Sequence, residues 1–203
     1  MINTVKLALA AAMLFVATPA FAAPEIGATA PDFEAVDING ETFKLSDQKG
    51  KNVVLEWTNH QCPFVVKHYD TGNMQKIQKA ATDDGVVWVS IVSSADGRQG
   101  HTTPEEAKKI VADANAHPSV KILDASGEIG KLYDAQTTPH MYVINKEGAL
   151  VYAGAIDDNS SPRHETVDGA KNYVTAALAD IKADRPVEVS STQAYGCGVK
   201  YNN

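Results

Sequence analysis

Short apolar segments that alternate with helical patterns constrain the fold of this chain more than any other feature. Three segments have the composition of strands buried on both faces: 53–55, 86–92 and 120–123. Each precedes a segment with apolar residues at three-to-four spacing, and such alternation favours a parallel sheet covered by helices. Segments 141–145 and 149–153 flank Glu147-Gly148 and predict an antiparallel hairpin at one edge of that sheet.

Turn and capping signals define the remaining elements. Asn39-Gly40 lies between two apolar segments and predicts an N-terminal β-hairpin. Thr103 and Glu106 have capping-box spacing and predict the start of a helix, whereas Gly72 predicts a break in the helical pattern after position 62. A final helix is predicted from apolar residues at helical spacing: Val167, Ala170, Val174, Leu178 and Ile181. The predicted fold class is α/β, with a mixed central sheet flanked by helices.

The first 22 residues have the three parts of a secretory signal. Lys6 precedes an apolar run from Leu7 to Ala17, and Ala20-Phe21-Ala22 is an A-x-A cleavage site. The run is shorter than the roughly 20 apolar residues that span a bilayer, so cleavage is favoured over retention as an anchor. The chain is therefore expected to have a signal peptide at 1–22, to be periplasmic or secreted, and to meet a membrane only through this signal.

No repeat or charge block divides the rest of the chain, which predicts one domain at 23–185 and a tail at 186–203. The leader contains one Lys and no acidic residue, so the chain from residue 23 has 17 basic and 25 acidic residues and a net charge of −8. A chain of this charge without a basic patch argues against a nucleic acid or an anionic membrane surface as partner.

Both cysteines, Cys62 and Cys197, lie beyond the leader and would enter an oxidising compartment. A pair of cysteines there is either a structural disulfide or a redox couple. The strand predicted at 53–57 runs into a short loop, and Cys62 begins the next helix, with Pro63 suited to the first turn. Free N–H groups and the positive end of the helix dipole favour thiolate over thiol, so a reactive Cys62 is preferred to an inert buried one.

Several features in a fixed order resemble the thioredoxin superfamily. Glu56 lies six residues before Cys62, where thioredoxins have a buried carboxylate, and Trp57 matches the aromatic residue beside it. Thr137-Thr138-Pro139, followed by an apolar strand, resembles the cis-proline loop of that superfamily. The resemblance implies a thioredoxin-like fold over 25–184, with the cis-proline loop beside the reactive cysteine. It also implies that Glu56 accepts the thiol proton; the alternative is a carboxylate that is only hydrogen-bonded.

Departures from the related families narrow the reaction. Thioredoxins have a second cysteine three residues after the first, whereas this chain has Val65, so exchange within a C-x-x-C motif is excluded. Peroxiredoxins have Thr or Ser three residues before the peroxidatic cysteine, but here Asn59 has that position and Thr58 precedes it. The proline loop stands where peroxiredoxins usually have an arginine, which leaves Arg163 as the remaining candidate.

The nearest resemblance is to a peroxiredoxin-like branch of the redoxins, related to alkyl hydroperoxide reductases and thiol-specific antioxidants. Asn59-His60-Gln61-Cys62-Pro63 has one residue more than the active-site motif of that branch, and Gly196-Cys197-Gly198-Val199-Lys200-Tyr201 matches its Gly-Cys tail. The resemblance implies an exported thiol-dependent oxidoreductase that acts through Cys62 on a protein disulfide or a peroxide. An external thiol reductant would restore it, and no cofactor is required.

Cys197 has two possible roles. As a resolving thiol it would attack oxidised Cys62; as a structural residue it would form a permanent disulfide that closes a loop of about 135 residues. Gly196 and Gly198 flank Cys197 and predict a mobile backbone, which favours the resolving role.

Further residues are assigned by their position near the cysteine or the proline. Those expected to bind substrate or stabilise the thiolate are Thr58, Asn59, His60, Pro63, Thr138 and His140. The two histidines among them are either cations beside the sulfur or solvated loop residues. His68 is expected on a helix surface, and the segment 157–159 is expected to carry solvated charges rather than to face substrate.

Two other classes of protein remain as alternatives. A copper-binding chaperone of thioredoxin fold would use Cys62 with His60 and His140, because copper prefers sulfur and imidazole ligands. Copper chaperones of this kind usually have two cysteines in one C-x-x-x-C loop, however, and the main interpretation assigns no metal site. A binding module without redox activity would require Cys62 to be buried and unreactive.

Overall fold

The computed structural model describes residues 23–202. Its strands are β1 (Glu34–Val36), β2 (Thr42–Lys44), β3 (Val53–Trp57), β4 (Val87–Val92), β5 (Val120–Leu123), β6 (Thr137–Thr138), β7 (His140–Ile144), β8 (Leu150–Gly154) and β9 (Cys197–Gly198). Its α-helices are α1 (Pro63–Asp70), α2 (Asn73–Asp83), α3 (Pro104–Asp113), α4 (Glu128–Leu132) and α5 (Tyr173–Lys182). Two short 3-10 helices lie at Leu45–Gln48 and His164–Thr166.

The central sheet has five strands in the order β5-β4-β3-β7-β8. Strands β3, β4 and β5 are parallel to one another, whereas β7 pairs antiparallel with both β3 and β8. β1 and β2 form a separate antiparallel hairpin around the predicted Asn39-Gly40 turn. The mixed sheet, the N-terminal hairpin and the hairpin at one sheet edge are therefore as the sequence predicts.

The two faces of the sheet bury different apolar side chains, because successive residues of a strand point to opposite faces. On one face Trp57 packs between Tyr133 and Tyr142, with ring centroids 5.4 Å and 5.2 Å away. On the other face Trp88 packs with residues of α2 and α5, among them Met74. Because both faces are covered, the loops at the end of β3 and before β7 are held by a rigid sheet.

Helix α5 is shorter than the apolar pattern predicts. It begins after Asn172, whose side chain accepts a hydrogen bond of 2.8 Å from the N–H group of Thr175. Val167 and Ala170 therefore lie before the helix, and their predicted place on its inner face is wrong. The apolar spacing carries no information about the cap. The cap fixes the start of the helix because it satisfies an N–H group that the first turn leaves free.

The other local signals agree with the structure. Thr103 accepts a hydrogen bond from the N–H group of Glu106 and donates its own N–H to that carboxylate, so the capping box is present. Gly72, with φ +73°, separates α1 from α2. The bond between Thr138 and Pro139 is cis.

The leader predicted at 1–22 lies outside the described residues. Within 23–202, no helix is both long enough and apolar enough to cross a membrane.

Candidate active site

Cys62 occupies the N-cap of α1, immediately before Pro63 in the first turn. Its N–H group donates to the carbonyl of Asn59 at 3.0 Å, and its carbonyl accepts hydrogen bonds from Val65 and Val66. The side chain is fully buried. The Sγ atom lies 3.1 Å from the carbonyl oxygen of Thr138 and 2.6 Å from the Sγ of Cys197. Thr138, the residue before the cis-proline, and Cys197 thus both contact the sulfur of Cys62.

The two thiols have different acidities. Burial raises the pKa of the Cys62 thiol, but hydrogen bonds from Cys197, Thr138 and the Val65 N–H group outweigh burial and place it below its usual range. Burial, followed by the hydrogen bond and the charge of Cys62, raises the pKa of Cys197 to about 11. Cys62 is therefore the more acidic thiol of the pair.

A two-stranded ladder holds Cys197 in this position. Strand β9 pairs antiparallel with β6, so that Cys197 stands opposite Thr138 and Gly198 opposite Thr137. The N–H group of Val199 extends the contact by donating to the carbonyl of Gln136 at 3.0 Å. The tail therefore lies as an added strand along the edge that leads into the cis-proline.

The two glycines that flank Cys197 differ in how closely they pack against β6. Gly196 has φ +137°, and a Cβ atom there would lie 2.0 Å from the carbonyl oxygen of Thr138. A Cβ at Gly198 would meet only the carbonyl oxygen of Gln136, at 3.9 Å. Gly196 is therefore required by close packing of the tail against β6, and the mobility of the backbone at the two glycines stays a prediction.

A buried polar cluster anchors the tail two residues before Cys197. The hydroxyl of Tyr195 donates to the carboxylate of Asp157, and Lys67 Nζ lies 5.1 Å from the Tyr195 ring centroid. Lys67 Nζ donates to the carbonyl of Asn159 at 2.7 Å, and His68 Nε2 lies 3.8 Å from the Asp157 carboxylate. We call Lys67, His68, Asp157 and Tyr195 the tail anchor.

The tail anchor overturns two sequence predictions. His68 is completely buried rather than on the helix surface, and burial followed by the charge of Lys67 lowers its pKa to about 3. Asp157 is also buried, so it is neither a solvated loop charge nor a group facing substrate. Asp157 is buried because Tyr195, which lies 38 residues further along the chain, covers it.

A second contact holds the tail beyond Cys197. The hydroxyl of Tyr201 donates to the carbonyl of Ala135 at 2.6 Å, and its ring covers Gly127 and Gly130. The carbonyl of Lys200 accepts from the N–H group of Ala95 at 2.9 Å. Cys197 is thus held on both sides.

Glu56 is buried at the middle of β3 and accepts four hydrogen bonds. Its donors are the Tyr69 hydroxyl at 2.7 Å, Gln78 Nε2 at 3.0 Å, Trp88 Nε1 at 2.8 Å and the Ser90 hydroxyl at 2.7 Å. No hydrogen bond joins Glu56 to Cys62 within residues 23–202. These four donors account for the burial of the carboxylate, and its role as acceptor of the thiol proton stays a prediction.

The residues between Glu56 and Cys62 shape the loop. Asn59 is buried, accepts from the Gln61 N–H group and donates to the carbonyl of Gln99, so it holds the loop in place. Thr58 is buried and donates its N–H group to Ile91 at 2.9 Å. Asn59 contacts the backbone of Cys62 through its own carbonyl, whereas the N–H group of Thr58 bonds to the neighbouring strand β4.

Burial lowers the pKa of both histidines near the site. Burial lowers the pKa of His140 to about 4, and its Nδ1 lies 3.2 Å from the Tyr142 hydroxyl. Burial, followed by the charge of Lys121, lowers the pKa of His60. The expected cationic role is therefore not supported for either ring.

Arginine and metal candidates receive no support from the described residues. Arg163 is exposed and pairs with Glu165 at 3.3 Å. No group of three or more His, Cys, Asp or Glu residues within 23–202 is arranged to hold a metal ion. The copper-binding alternative therefore rests on the sequence alone.

Comparisons with known proteins agree with this fold. The family model described as Redoxin matches residues 25–173. The thiol-disulfide oxidoreductase ResA of Geobacillus kaustophilus is 27% identical over 148 residues, which cover 68% of this chain and 75% of that protein.

Two solved structures extend the comparison. An uncharacterized conserved protein from Geobacillus kaustophilus has a TM-score of 0.76 and 26% identity, covering 88% of this chain and 93% of its own. The thioredoxin domain of a thiol-disulfide oxidoreductase from Bacteroides vulgatus has a TM-score of 0.51 and 22% identity, covering 71% of this chain and 96% of its own. The latter shows a shared thioredoxin-like fold.

Proposed function

Because the chain belongs to the redoxin family, we propose that it is a thiol-disulfide oxidoreductase whose redox couple is Cys62 and Cys197. The observation that carries the proposal is the 2.6 Å approach of the two sulfurs. The lowered pKa of Cys62 and the raised pKa of Cys197 give the pair a nucleophile and a resolving thiol. The likeness to a thiol-disulfide oxidoreductase from Geobacillus kaustophilus supports the same reaction class.

The reaction starts with the Cys62 thiolate. It attacks one sulfur of a partner disulfide, forming a mixed disulfide, and the other partner sulfur leaves as a thiolate. The charge of Cys62 is then lost, so part of the effect that raises the pKa of Cys197 disappears. Cys197 loses its proton, attacks the Cys62 sulfur, and releases the second partner thiolate.

The products balance as one disulfide for another. The partner disulfide gains two electrons and two protons and becomes two thiols. The oxidising equivalent is then held as the Cys62–Cys197 disulfide. An external dithiol or two monothiols reopen it by the same chemistry in reverse.

Access to Cys62 requires the tail to move, because Cys62 is fully buried under Cys197 and the cis-proline loop. The contacts of Tyr195 and Tyr201 tie the tail at two points. We propose that the segment between them leaves β6 when a partner enters.

We propose a disulfide rather than a peroxide as the substrate. The single candidate arginine weighed for a peroxide site, Arg163, is exposed and paired with Glu165. The signal at 1–22 further supports action in an exported, oxidising compartment, which the mass of the exported protein tests: it should begin at Ala23.

A single-turnover experiment tests the mechanism. The reduced protein receives one equivalent of oxidised glutathione, and products are followed by mass spectrometry after acid quench. The parent protein should form the Cys62–Cys197 disulfide and release two glutathione molecules, whereas Cys197→Ser should stop at a Cys62–glutathione adduct. Cys62→Ser should form no adduct on this timescale.

Two outcomes contradict the proposal. Continued turnover by Cys197→Ser at the parent rate would make Cys197 a spectator. A Cys62–Cys197 disulfide that resists excess dithiol until the chain is unfolded would make the pair a structural disulfide.

A further inference from the structure

Three polar residues lie side by side across the sheet on the face covered by α1 and α2. Glu56 of β3 stands opposite Ser90 of β4, and Ser90 stands opposite Lys121 of β5. Glu56 accepts hydrogen bonds from four donors, including Ser90 itself. The carbonyl of Lys121 accepts from the Ile38 N–H group, but its ammonium group makes no hydrogen bond within the described residues; burial lowers its pKa, and the charge of Glu56 opposes this. The row therefore ends in a half-buried ammonium group that has no acceptor among the described residues.

This lysine lines a cavity of about 150 Å³ between the sheet, α1 and α3. The other walls are mainly apolar: Val65 and Tyr69 come from α1, and Ile110 comes from α3. A cavity of roughly 150 Å³ with apolar walls holds a molecule the size of benzene. The space suits a compact apolar body with room for one polar group at Lys121.

The charges around the cavity favour an anion at that end. His60 is another wall residue, and burial, followed by the charge of Lys121, lowers its pKa, whereas the charge of Glu106 raises it. The carboxylate of Asp70 also belongs to the lining, but it is exposed and lies 3.7 Å from His164. Glu56 accepts three hydrogen bonds at Oε2 and one, from Tyr69, at Oε1, so protein donors occupy most of its carboxylate.

We propose that this cavity binds a small organic monocarboxylate with an apolar body of about six carbon atoms, the carboxylate accepting hydrogen bonds from Lys121. The apolar walls bind the body of the ligand through burial of apolar surface, and the ammonium group gains the acceptor that the protein does not provide. An inorganic anion would not use the walls, and a neutral molecule would give the ammonium no charge-assisted hydrogen bond.

The site is distinct from the two sulfurs but adjoins their loop. His60 lines the cavity and lies two residues before Cys62. An occupant would therefore contact the segment that carries the reactive cysteine. Binding itself uses neither sulfur, so it can be tested without reference to thiol chemistry.

Calorimetric titration of the reduced protein at pH 7 tests the proposal. Benzoate and hexanoate are the carboxylate probes, benzyl alcohol is the neutral control, and sulfate is the control for charge alone. Lys121→Met removes the ammonium, and Lys76→Met removes an exposed lysine of α2 as the matched control. Ala107→Leu adds bulk at a buried position of α3 in the cavity wall.

Benzoate or hexanoate should bind saturably, at least tenfold more tightly than benzyl alcohol, and sulfate should not bind. Lys121→Met should weaken carboxylate binding at least tenfold, Lys76→Met should leave it unchanged, and Ala107→Leu should weaken it. Absence of saturable carboxylate binding overturns the proposal, as does benzyl alcohol binding as tightly as benzoate or unchanged affinity in Lys121→Met. If Lys121→Met does not fold, the comparison of ligands and the Ala107→Leu result decide.

Discussion

Replacing Gly196 by alanine should make the Cys62–Cys197 disulfide easier to reduce. Gly196 has φ +137°, and an added Cβ would lie 2.0 Å from the Thr138 carbonyl oxygen. In the reduced protein no covalent bond holds residue 196 against Thr138, so a shift of the tail away from β6 would relieve this strain. In the oxidised protein the bond to Cys62 forces residue 196 against Thr138, so the strain falls mainly on the disulfide state.

The size of the shift follows from the cost of the backbone conformation. A non-glycine residue in such a region costs about 1–3 kcal/mol, and for a two-electron couple about 1.4 kcal/mol corresponds to 30 mV. Gly196→Ala should therefore raise the reduction potential by about 20–65 mV. The overlap with the Thr138 oxygen adds to this, so the lower end is a minimum.

The assay is equilibration of the protein in glutathione redox buffers, followed by alkylation of free thiols and mass analysis. Gly198→Ala is the matched control, because its Cβ meets only one atom at 3.9 Å and φ at Gly198 is not positive. A Gly196→Ala potential equal to that of the parent would refute the argument. So would an equal shift in both variants, since that would assign the effect to the tail in general.

Three further predictions concern the tail anchor and the reactive thiol. Tyr195→Phe removes the hydroxyl that donates to buried Asp157 and should lower the free energy of unfolding by about 1–3 kcal/mol in urea titration; an unchanged midpoint would mean that the bond is not formed in solution. The pKa of His68 is about 3 in the folded protein and about 6.5 in the unfolded chain, so only the unfolded chain binds the proton between pH 7 and pH 5. The free energy of unfolding should therefore fall by about 2 kcal/mol on going from pH 7 to pH 5. His68→Gln should reduce this loss of stability, whereas His164→Gln, at an exposed histidine, should not. An equal pH dependence of the free energy of unfolding in the two variants would contradict the prediction. Alkylation of Cys62 in the reduced protein should have its pH midpoint below about 8.5, the usual value for a free cysteine, and a midpoint above that value would remove the thiolate assignment.

Local patterns predicted most of the fold because their causes are local. The Asn39-Gly40 turn, the Thr103 capping box and the apolar strands each depend on residues a few positions apart, and the structure contains them. The start of α5 escaped because its cap, Asn172, lies inside an apolar pattern that continues on both sides.

The parts of the site that could be predicted depend on the resemblance to the thioredoxin superfamily, which supplies information about residues far apart in the sequence. The neighbourhood of Cys62 and Pro139 depends on the superfamily order of elements rather than on spacing. The tail anchor was missed because no local rule joins His68 to Tyr195, which lie 127 residues apart. A usable signal existed in the sequence: a tyrosine two residues before Cys197, in a tail without helical period, needs a buried partner for its ring.

The pairing of β9 with β6 has a consequence for the order in which the chain matures. Synthesis proceeds from the N-terminus, so the Cys62 thiol emerges 135 residues before Cys197. Strand β9 is only two residues long, and its partner positions lie about 60 residues earlier, so it gains no stability until the sheet that carries β6 has formed. Closure of the tail is therefore a late event that reports a finished domain, and a nascent chain passes through a stage in which Cys62 faces foreign thiols without its own partner.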